Sequence, residues 1–233
     1  MTVLLGYVYM IEIIKKHKDY VVIYKPPGIP TQPDPTGDSD AMTLTASALS
    51  ACGEQSKLWL VHRLDRVVGG ILVFARTQRA AAQLSESASG DDMRKEYLAV
   101  AEGAPEGGTY IDVLFKDARV GKAFIVDRER HGAKMAELNC EPIAAVNERT
   151  LVRVRLSTGR FHQIRVQLAS RGTPLVGDGK YGSRDKDARM PSLFAYRLSF
   201  TYCGERVECM RLPDTSVYPW SLFNNDEYEK VQK

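Results

Sequence analysis

The 233 residues suffice for one large domain or two small ones with a sizeable core, and the 44% apolar and 26% charged shares exclude a disordered or fibrous chain. No apolar run reaches the length of a membrane span, and the first residues lack the charged, apolar, then small pattern of a secretory signal. The formal charge of +3 is uneven: positions 153–189 hold nine basic side chains against three acids, a net +6, which fits either a face for a polyanion or a solvated basic surface.

Residues 1–10, which include a second methionine at Met10, are expected to be an N-terminal extension. Ile11 to Ile14 and Tyr20 to Tyr24 are apolar and β-branched and predict two short strands. Lys25-Pro26-Pro27-Gly28 stops the second, because neither proline can donate to a ladder and glycine allows a sharp turn. Pro30 to Asp40, rich in Pro, Asp, Gly and Thr, is expected as an exposed loop, and Met42 to Ala51 as a short helix ending near Gly53.

Next comes Trp59-Leu60-Val61-His62-Arg63-Leu64-Asp65-Arg66-Val67-Val68-Gly69-Gly70, with a strand expected over 58–61 and another over 71–75. A carboxylate that ends a buried strand between two guanidinium groups is expected to stay ionised, because nearby positive charge favours the charged form. Such a group suits a nucleophile or general base for an anionic ligand; an ordinary turn with a surface ion pair fits this stretch equally well.

Thr77 can cap a helix through Ala80, Ala81, Ala82 and Leu84, closed by Gly90. Arg94 to Val100 predicts a strand with Tyr97 and Ala99 on one face, and weaker strands follow between Tyr110 and Ile143. Leu151 to Leu156 alternates, placing Arg153 and Arg155 opposite three aliphatics. Phe161, Ile164, Leu168 and Arg165 recur at helical spacing, so Thr158-Gly159 is expected to open a helix that Gly172-Thr173-Pro174 ends. A glycine-rich loop from Gly177 to Gly182 precedes a hairpin, Leu193 to Tyr202 and Arg206 to Leu212, around Gly204. The sum is a single strand-rich α+β domain over 11–213, followed by a C-terminal tail over 214–233.

Several familiar sites fail. Gly172 to Asp178 begins like a phosphate-cradling loop, but an acid, Asp178, stands where lysine is needed. No G-x-G-x-x-G or G-x-S-x-G is present, and His17, His62, His131 and His162 show no short metal-ligand spacing. Cys52, Cys140, Cys203 and Cys209 lie far apart without a C-x-x-C pair, which predicts free thiols in a reducing, cytoplasmic compartment and argues against zinc or a disulfide framework.

Three separated stretches nevertheless converge. His62-Arg63-Leu64-Asp65-Arg66 with Gly70-Ile71-Leu72-Val73-Phe74-Ala75, then Lys95-Glu96-Tyr97-Leu98-Ala99, then Thr158 to Leu168 continuing to Gly177-Asp178 and Tyr181-Gly182, resemble in order the motifs of the RluA-type RNA pseudouridine synthases. Lys25 to Gly28 and Leu193 to Leu198 fit the family's opening and closing segments, so the resemblance runs from about residue 11 to 213.

The resemblance implies a large, bent, mixed and mostly antiparallel sheet with flanking helices and a central cleft. It also implies isomerisation of uridine in rRNA or tRNA stem-loops to pseudouridine, with no metal or organic cofactor, by a monomer without a protein partner. Asp65 falls on the family's catalytic aspartate, Arg165 on the arginine that pairs with it, and Tyr97 on the tyrosine that packs against the target uracil. An arginine fork can hold a carboxylate bidentately, and a tyrosine offers a π-face and a hydroxyl. Arg63 matches a position suited to filling the stack that a flipped nucleotide vacates, and Leu193 one that lines the base pocket. His62, Leu64, Arg66, Arg160, His162, Gln163 and Lys180 belong to the same motifs and are further candidates for contact with RNA. Taken one at a time, Tyr97 and Leu193 would be core residues and Arg165 a structural ion-pair partner.

The chain departs from the family's pattern where polar and hydroxyl residues usually follow the aspartate-arginine pair; here the sequence is Val67-Val68-Gly69. Phe161 replaces a threonine, and Phe194 stands where a histidine is common. With ten residues before the first strand, the accessory RNA-binding domain of many relatives is not expected, and target choice would rest on the catalytic domain. A catalytically impaired RNA-binding or assembly protein on the same fold is the alternative; the retained Asp65, Tyr97 and Arg165 favour catalysis. A carboxylate-nucleophile hydrolase would need further acids or metal ligands.

Overall fold

The seven residues of Gly69–Ala75 are all buried, which requires a strand covered on both faces at the middle of a sheet. The computed structural model, which describes residues 11–90, 92–127 and 131–232, places this strand (β4) there; the expected extension over 1–10 lies outside the described residues. Its neighbours in sequence order are β1 (Glu12–Lys16), β2 (Tyr20–Lys25) and the two-residue β3 (Trp59–Leu60). After it come β5 (Arg94–Glu102), β6 (Gly108–Asp117), β7 (Lys122–Ile125), β8 (Ala133–Val146) and β9 (Arg149–Leu156), then β10 (Leu193–Tyr202) and β11 (Glu205–Met210). All eleven join one sheet in the order β1-β2-β4-β10-β5-β9-β8-β6-β7, with β11 also on β10 and β3 also on β4.

Every pairing is antiparallel except β4 with β10, which run parallel through Phe194–Gly69 and Ala195–Gly70. Two glycines make that junction possible. A Cβ on Gly70, at φ 133°, would lie 2.3 Å from the Ala195 carbonyl oxygen, and one on Gly69 would meet the Pro27 ring at 3.0 Å.

Period-2 alternation then sorts the side chains. Val21, Ile23, Leu72, Phe74, Tyr97, Ala99, Val152, Val154, Leu193 and Ala195 form one face, covered by α1 (Ala41–Ala51) and α3 (Gln163–Ala169). Tyr20, Val22, Ile71 and Val73 face the other way, onto α2 (Gln78–Ser89). Leu98, Val100, Leu151 and Tyr196 on that second face meet α4 (Asn225–Gln232). As expected from the sequence, Thr77 caps α2 by accepting the Ala80 N–H, and Gly90 follows its last turn. Asp40 does the same for α1 at Thr43, so that helix begins at Ala41, one residue before the expected start.

Three local expectations need correction. The helix expected to open at Thr158-Gly159 begins only at Gln163, after His162 in the left-handed region at φ 54°. The Gln163 side chain is the reason: its carbonyl oxygen accepts from the Thr158 hydroxyl and the Arg160 N–H, and its amide donates to the Glu137 carbonyl, fixing 157–160 as a loop. The strand expected over 58–61 shortens to Trp59–Leu60, because the Thr31 hydroxyl takes both backbone groups of Leu64 and draws the chain out of the ladder. Residues 214–233, expected as a tail, include α4 and bury Phe223, Tyr228 and Val231 against the sheet.

Arg153 and Arg155 follow the predicted alternation, and this carries them away from the α3 face. Arg153 is buried beneath α4, paired with Glu141 at 2.6 Å, and Arg155 pairs with Glu141 at 3.0 Å. Arg171 is bound by Asp112 at 2.9 Å. The basic stretch is therefore dispersed, and much of its charge is neutralised within the fold.

Candidate active site

A cleft of about 720 Å³ opens on the α1–α3 face, within the size range of small-molecule and nucleotide sites. Its walls come from segments distant in sequence: 30–34, 60–66 around β3 and the turn before β4, 88–89, Lys95 and Tyr97 on β5, Lys116, 156–165 leading into α3, and Leu193 on β10. Of the residues expected at the site, Asp65, Arg63, His62, Leu64, Arg66, Tyr97, Arg160, His162, Gln163, Arg165 and Leu193 line this cleft. Lys180 does not; it is exposed and its ammonium donates to the Gly121 carbonyl.

Asp65 begins a tight turn closed by the Val68 N–H on its carbonyl at 3.0 Å. Its carboxylate lies 3.6 Å from Arg165 Nη1 and 3.7 Å from His162 Nε2, with 29% of the side chain exposed. Burial pushes its pKa above the ordinary carboxylate value, against the opposing pull of Arg165, Lys25 and Arg63. Desolvation is the larger influence on Asp65, and the cations expected to favour its ionised form act against it.

Arg165 pairs with Asp65 as expected, but its fork does not go there. Nε and Nη2 each donate to Asp178 at 2.7 Å, and Asp178 is 1% exposed, so Asp65 meets only the remaining nitrogen. The acid that spoils a phosphate loop in the sequence serves here to aim the arginine. Its signal was present in the sequence as an acid in an apolar, glycine-rich turn, but nothing local named its partner.

Tyr97 is buried, and its phenol is held protonated because burial and the Asp65 charge both raise its pKa. Its hydroxyl makes no hydrogen bond among the described residues. Leu193 lies beside it on the neighbouring strand, and Ala195 is its cross-strand partner.

His162 is neutral, its pKa pushed down to about 3 by burial and by Arg165, Lys180 and Lys116. Its Nδ1 lies 2.9 Å from the Tyr181 hydroxyl, whose oxygen already accepts the Ala123 N–H at 2.8 Å. In the tautomer that turns Nε2–H toward the Asp65 carboxylate, the phenol donates to Nδ1. Phe161 stacks on the same ring at 3.8 Å with Lys116 above it at 4.5 Å, so the aromatic replacement for threonine forms one wall of the cleft.

His62 braces the turn, accepting the Val73 N–H on Nε2 at 3.3 Å; burial pushes its pKa down to about 3. Arg66 is engaged by Asp34 at 2.9 Å, by Asp38 and by Thr36, so it ties the 30–40 loop to the catalytic turn. Gln163 is occupied by its loop bonds and Leu64 is core. Arg63, by contrast, is exposed on the cleft rim and makes no ion pair among the described residues. Arg160 shares that rim, anchored through Nε to the Met135 carbonyl.

Lys25 was not among the expected site residues. Fully buried, it donates to the carbonyls of Pro26, Ile29 and Arg66, and the Gly28 N–H also reaches Arg66. Burial pushes its pKa down to about 7 while Asp65 opposes the shift, and three carbonyl acceptors match the three donors of the charged form. A lysine ending the apolar strand Tyr20–Lys25 was the signal that could have found it. Val68, in place of the family's hydroxyl residues, is buried in the core, so its packing adds to the bonds from Lys25 and Thr31 that seat this turn.

Comparison with known proteins identifies relatives. The RNA pseudouridylate synthase family matches residues 19–170. An uncharacterized RNA pseudouridine synthase of Haemophilus influenzae is 32% identical over 212 residues, covering 89% of this chain and 90% of that one. The ribosomal large subunit pseudouridine synthase D of Vibrio cholerae is 31% identical over 194 residues, covering 78% of this chain but 55% of the longer relative. In fold, the human RNA pseudouridylate synthase domain containing 1 superposes with a TM-score of 0.74 at 20% identity, covering 97% of this chain and 96% of that one.

Proposed function

The chain belongs to the RNA pseudouridylate synthase family, and from that premise we propose that it converts uridines of structured RNA, ribosomal or transfer, to pseudouridine with Asp65 as the reacting carboxylate. The observation that carries this is the placing of Asp65 in one cleft with Arg165 Nη1 at 3.6 Å and with Tyr97 and Leu193 on the facing strands.

The reaction is an isomerisation and needs no co-reactant. The C1′–N1 bond of the nucleoside breaks, the uracil turns within the cleft, a C1′–C5 bond forms, the proton on C5 leaves, and N1 takes up a proton. Asp65 serves as nucleophile or base in its ionised form. Arg165 stabilises that form, and Asp178 keeps the guanidinium aimed. Tyr97 offers the buried ring against which the uracil stacks. A uracil inside a stem must be flipped out, and the exposed Arg63 is placed to fill the gap. The free thiols of Cys52, Cys140, Cys203 and Cys209 support action in the reducing cytoplasm, and nothing in the reading calls for a second subunit.

The test is pseudouridine mapping of rRNA and tRNA from a deletion strain and its parent, with tritium release from [5-³H]uridine RNA by the purified protein. Loss of one or more defined sites in the deletion strain, restored in vitro, is the expected result. Identical maps and no tritium release would leave only the inactive RNA-binding alternative.

A further inference from the structure

A second cavity of about 370 Å³ adjoins the catalytic turn, with Val67 and Gly69 on its wall and Leu193 shared with the active-site cleft. We infer that it is a second nucleotide subsite, which takes the base of an RNA residue flanking the flipped uridine while the loop 184–189 holds the adjoining phosphates. The inference rests on the reading of the chain as an RNA uridine isomerase.

The cavity is preformed and has the chemistry of a base-stacking site. Its loop is pinned by Asp185, which is buried, accepts from Arg149 at 3.1 Å and from the Tyr218 hydroxyl, and caps the Asp187 and Ala188 N–H groups at 3.0 Å. That pin joins β9, the loop and the C-terminal segment around the opening. Gly69 on its wall is packed closely, since a Cβ there would touch Pro27 at 3.0 Å and Phe194 at 3.4 Å. Trp220 is half-buried on the cavity, and its indole N–H makes no hydrogen bond among the described residues. Met190 and Val217 line the mouth with 37% and 52% of their surface exposed. An apolar slot with one aromatic plane and one free donor suits a nucleobase, for which stacking supplies most of the affinity.

The loop supplies the charge. Arg189 lines the cavity, and Arg184 and Lys186 stand on the same loop; all three are exposed and make no ion pair among the described residues, whereas Arg153, Arg155, Arg165 and Arg171 are neutralised. Asp187 also lines the cavity and offsets part of this charge. Of the five cations in the basic stretch without an ion pair among the described residues, Arg160 lies on the active-site cleft and Lys180 at the Gly121 carbonyl, while Arg184, Lys186 and Arg189 share the loop beside this cavity, so a polyanion extending from the cleft would meet positive charge here.

Two measurements test the subsite, with rRNA and tRNA transcribed with [5-³H]uridine as the probe. Val217→Glu places a carboxylate in the mouth, whereas Ser221→Glu adds the same charge on the same segment outside the cavity. The expected result is a KM for RNA raised about tenfold in Val217→Glu at unchanged kcat and melting temperature, with Ser221→Glu within twofold of wild type. In a Trp59→Phe/Asp65→Asn protein, Trp220 is the sole tryptophan, and its emission should be quenched saturably by the RNA at the Kd given by filter retention. Equal effects of the two glutamates, no effect of either, or RNA retained with unchanged Trp220 emission would overturn the subsite. Wild-type protein that neither retains RNA nor releases tritium would instead overturn the underlying reading, and the subsite with it.

Discussion

Arg165 gives its guanidinium fork to Asp178, with two bonds of 2.7 Å, and offers Asp65 a single nitrogen at 3.6 Å. The buried pair sets the arginine's orientation, and the looser contact leaves the Asp65 carboxylate without a short ion pair. In the proposed reaction Asp178 is thus a positioning residue whose effect passes through Arg165.

Arg165→Met would strand Asp178 without its partner. Breaking a buried pair from one side costs roughly 3–5 kcal/mol, so denaturant melts should show a loss of that order together with loss of turnover. Asp178→Asn keeps the shape and removes the charge; turnover should fall about 10²-fold at little-changed KM as the guanidinium loses its aim. Full turnover in Asp178→Asn would separate the pair from catalysis.

Asp65→Asn should abolish tritium release while leaving retention of RNA on filters intact. Stability gives an independent reading. Asp65 has a raised pKa in the fold, so between the unfolded and folded values the native state holds the extra proton, and stability falls as pH rises through that window. Asparagine removes this penalty, and the variant should melt no lower than wild type at neutral pH. A markedly lower melting temperature would mean that the ionised carboxylate is a net structural asset.

The same shift predicts the pH profile. Turnover needs ionised Asp65, so the acid limb of kcat should lie above the ordinary carboxylate range near about 4. His162, held neutral with a pKa of about 3, should contribute no inflection between pH 5 and 8. An acid limb at or below the ordinary value would show that Arg165 and Lys25 outweigh burial.

Tyr181→Phe removes the acceptor of the Ala123 N–H and the donor to His162 Nδ1 together. Stranding these groups should cost about 1–3 kcal/mol in chemical denaturation. With His162 no longer fixed beside Asp65, kcat should fall more than KM rises. A stability loss with unchanged kcat would confine Tyr181 to the fold.

Gly70→Ala forces a Cβ to 2.3 Å from the Ala195 oxygen at a positive φ. Strain and overpacking should together cost roughly 3 kcal/mol or more, measured by denaturant melts, because the β4–β10 junction has no room to relax.

Much of the scaffold was legible in local pattern. The alternation in Leu151 to Leu156 placed its side chains on the correct faces, and Thr77 and Gly90 bounded a helix as their capping chemistry requires. What pattern could not supply was the partner of each charge. Arg153 and Arg155 counted toward a cationic face in the sequence, yet the face they occupy is covered by α4 and holds Glu141. Gln163, a helical residue by periodicity, spends its amide on the preceding loop and delays the helix.

The sequence by itself determined the order of the strands' polar and apolar faces and the motif run that holds Asp65, Tyr97 and Arg165, because periodicity and turn chemistry act over a few neighbouring residues. Only the tertiary structure decided that Asp178 takes the fork of Arg165, that Lys25 clamps the turn after Asp65, and that Arg153, Arg155 and Arg171 are neutralised while Arg184, Lys186 and Arg189 make no ion pair among the described residues. Those outcomes depend on which segments cross in space. The energy of a buried charge is set by the nearest opposite charge and the water excluded around it, and neither is a property of sequence neighbours.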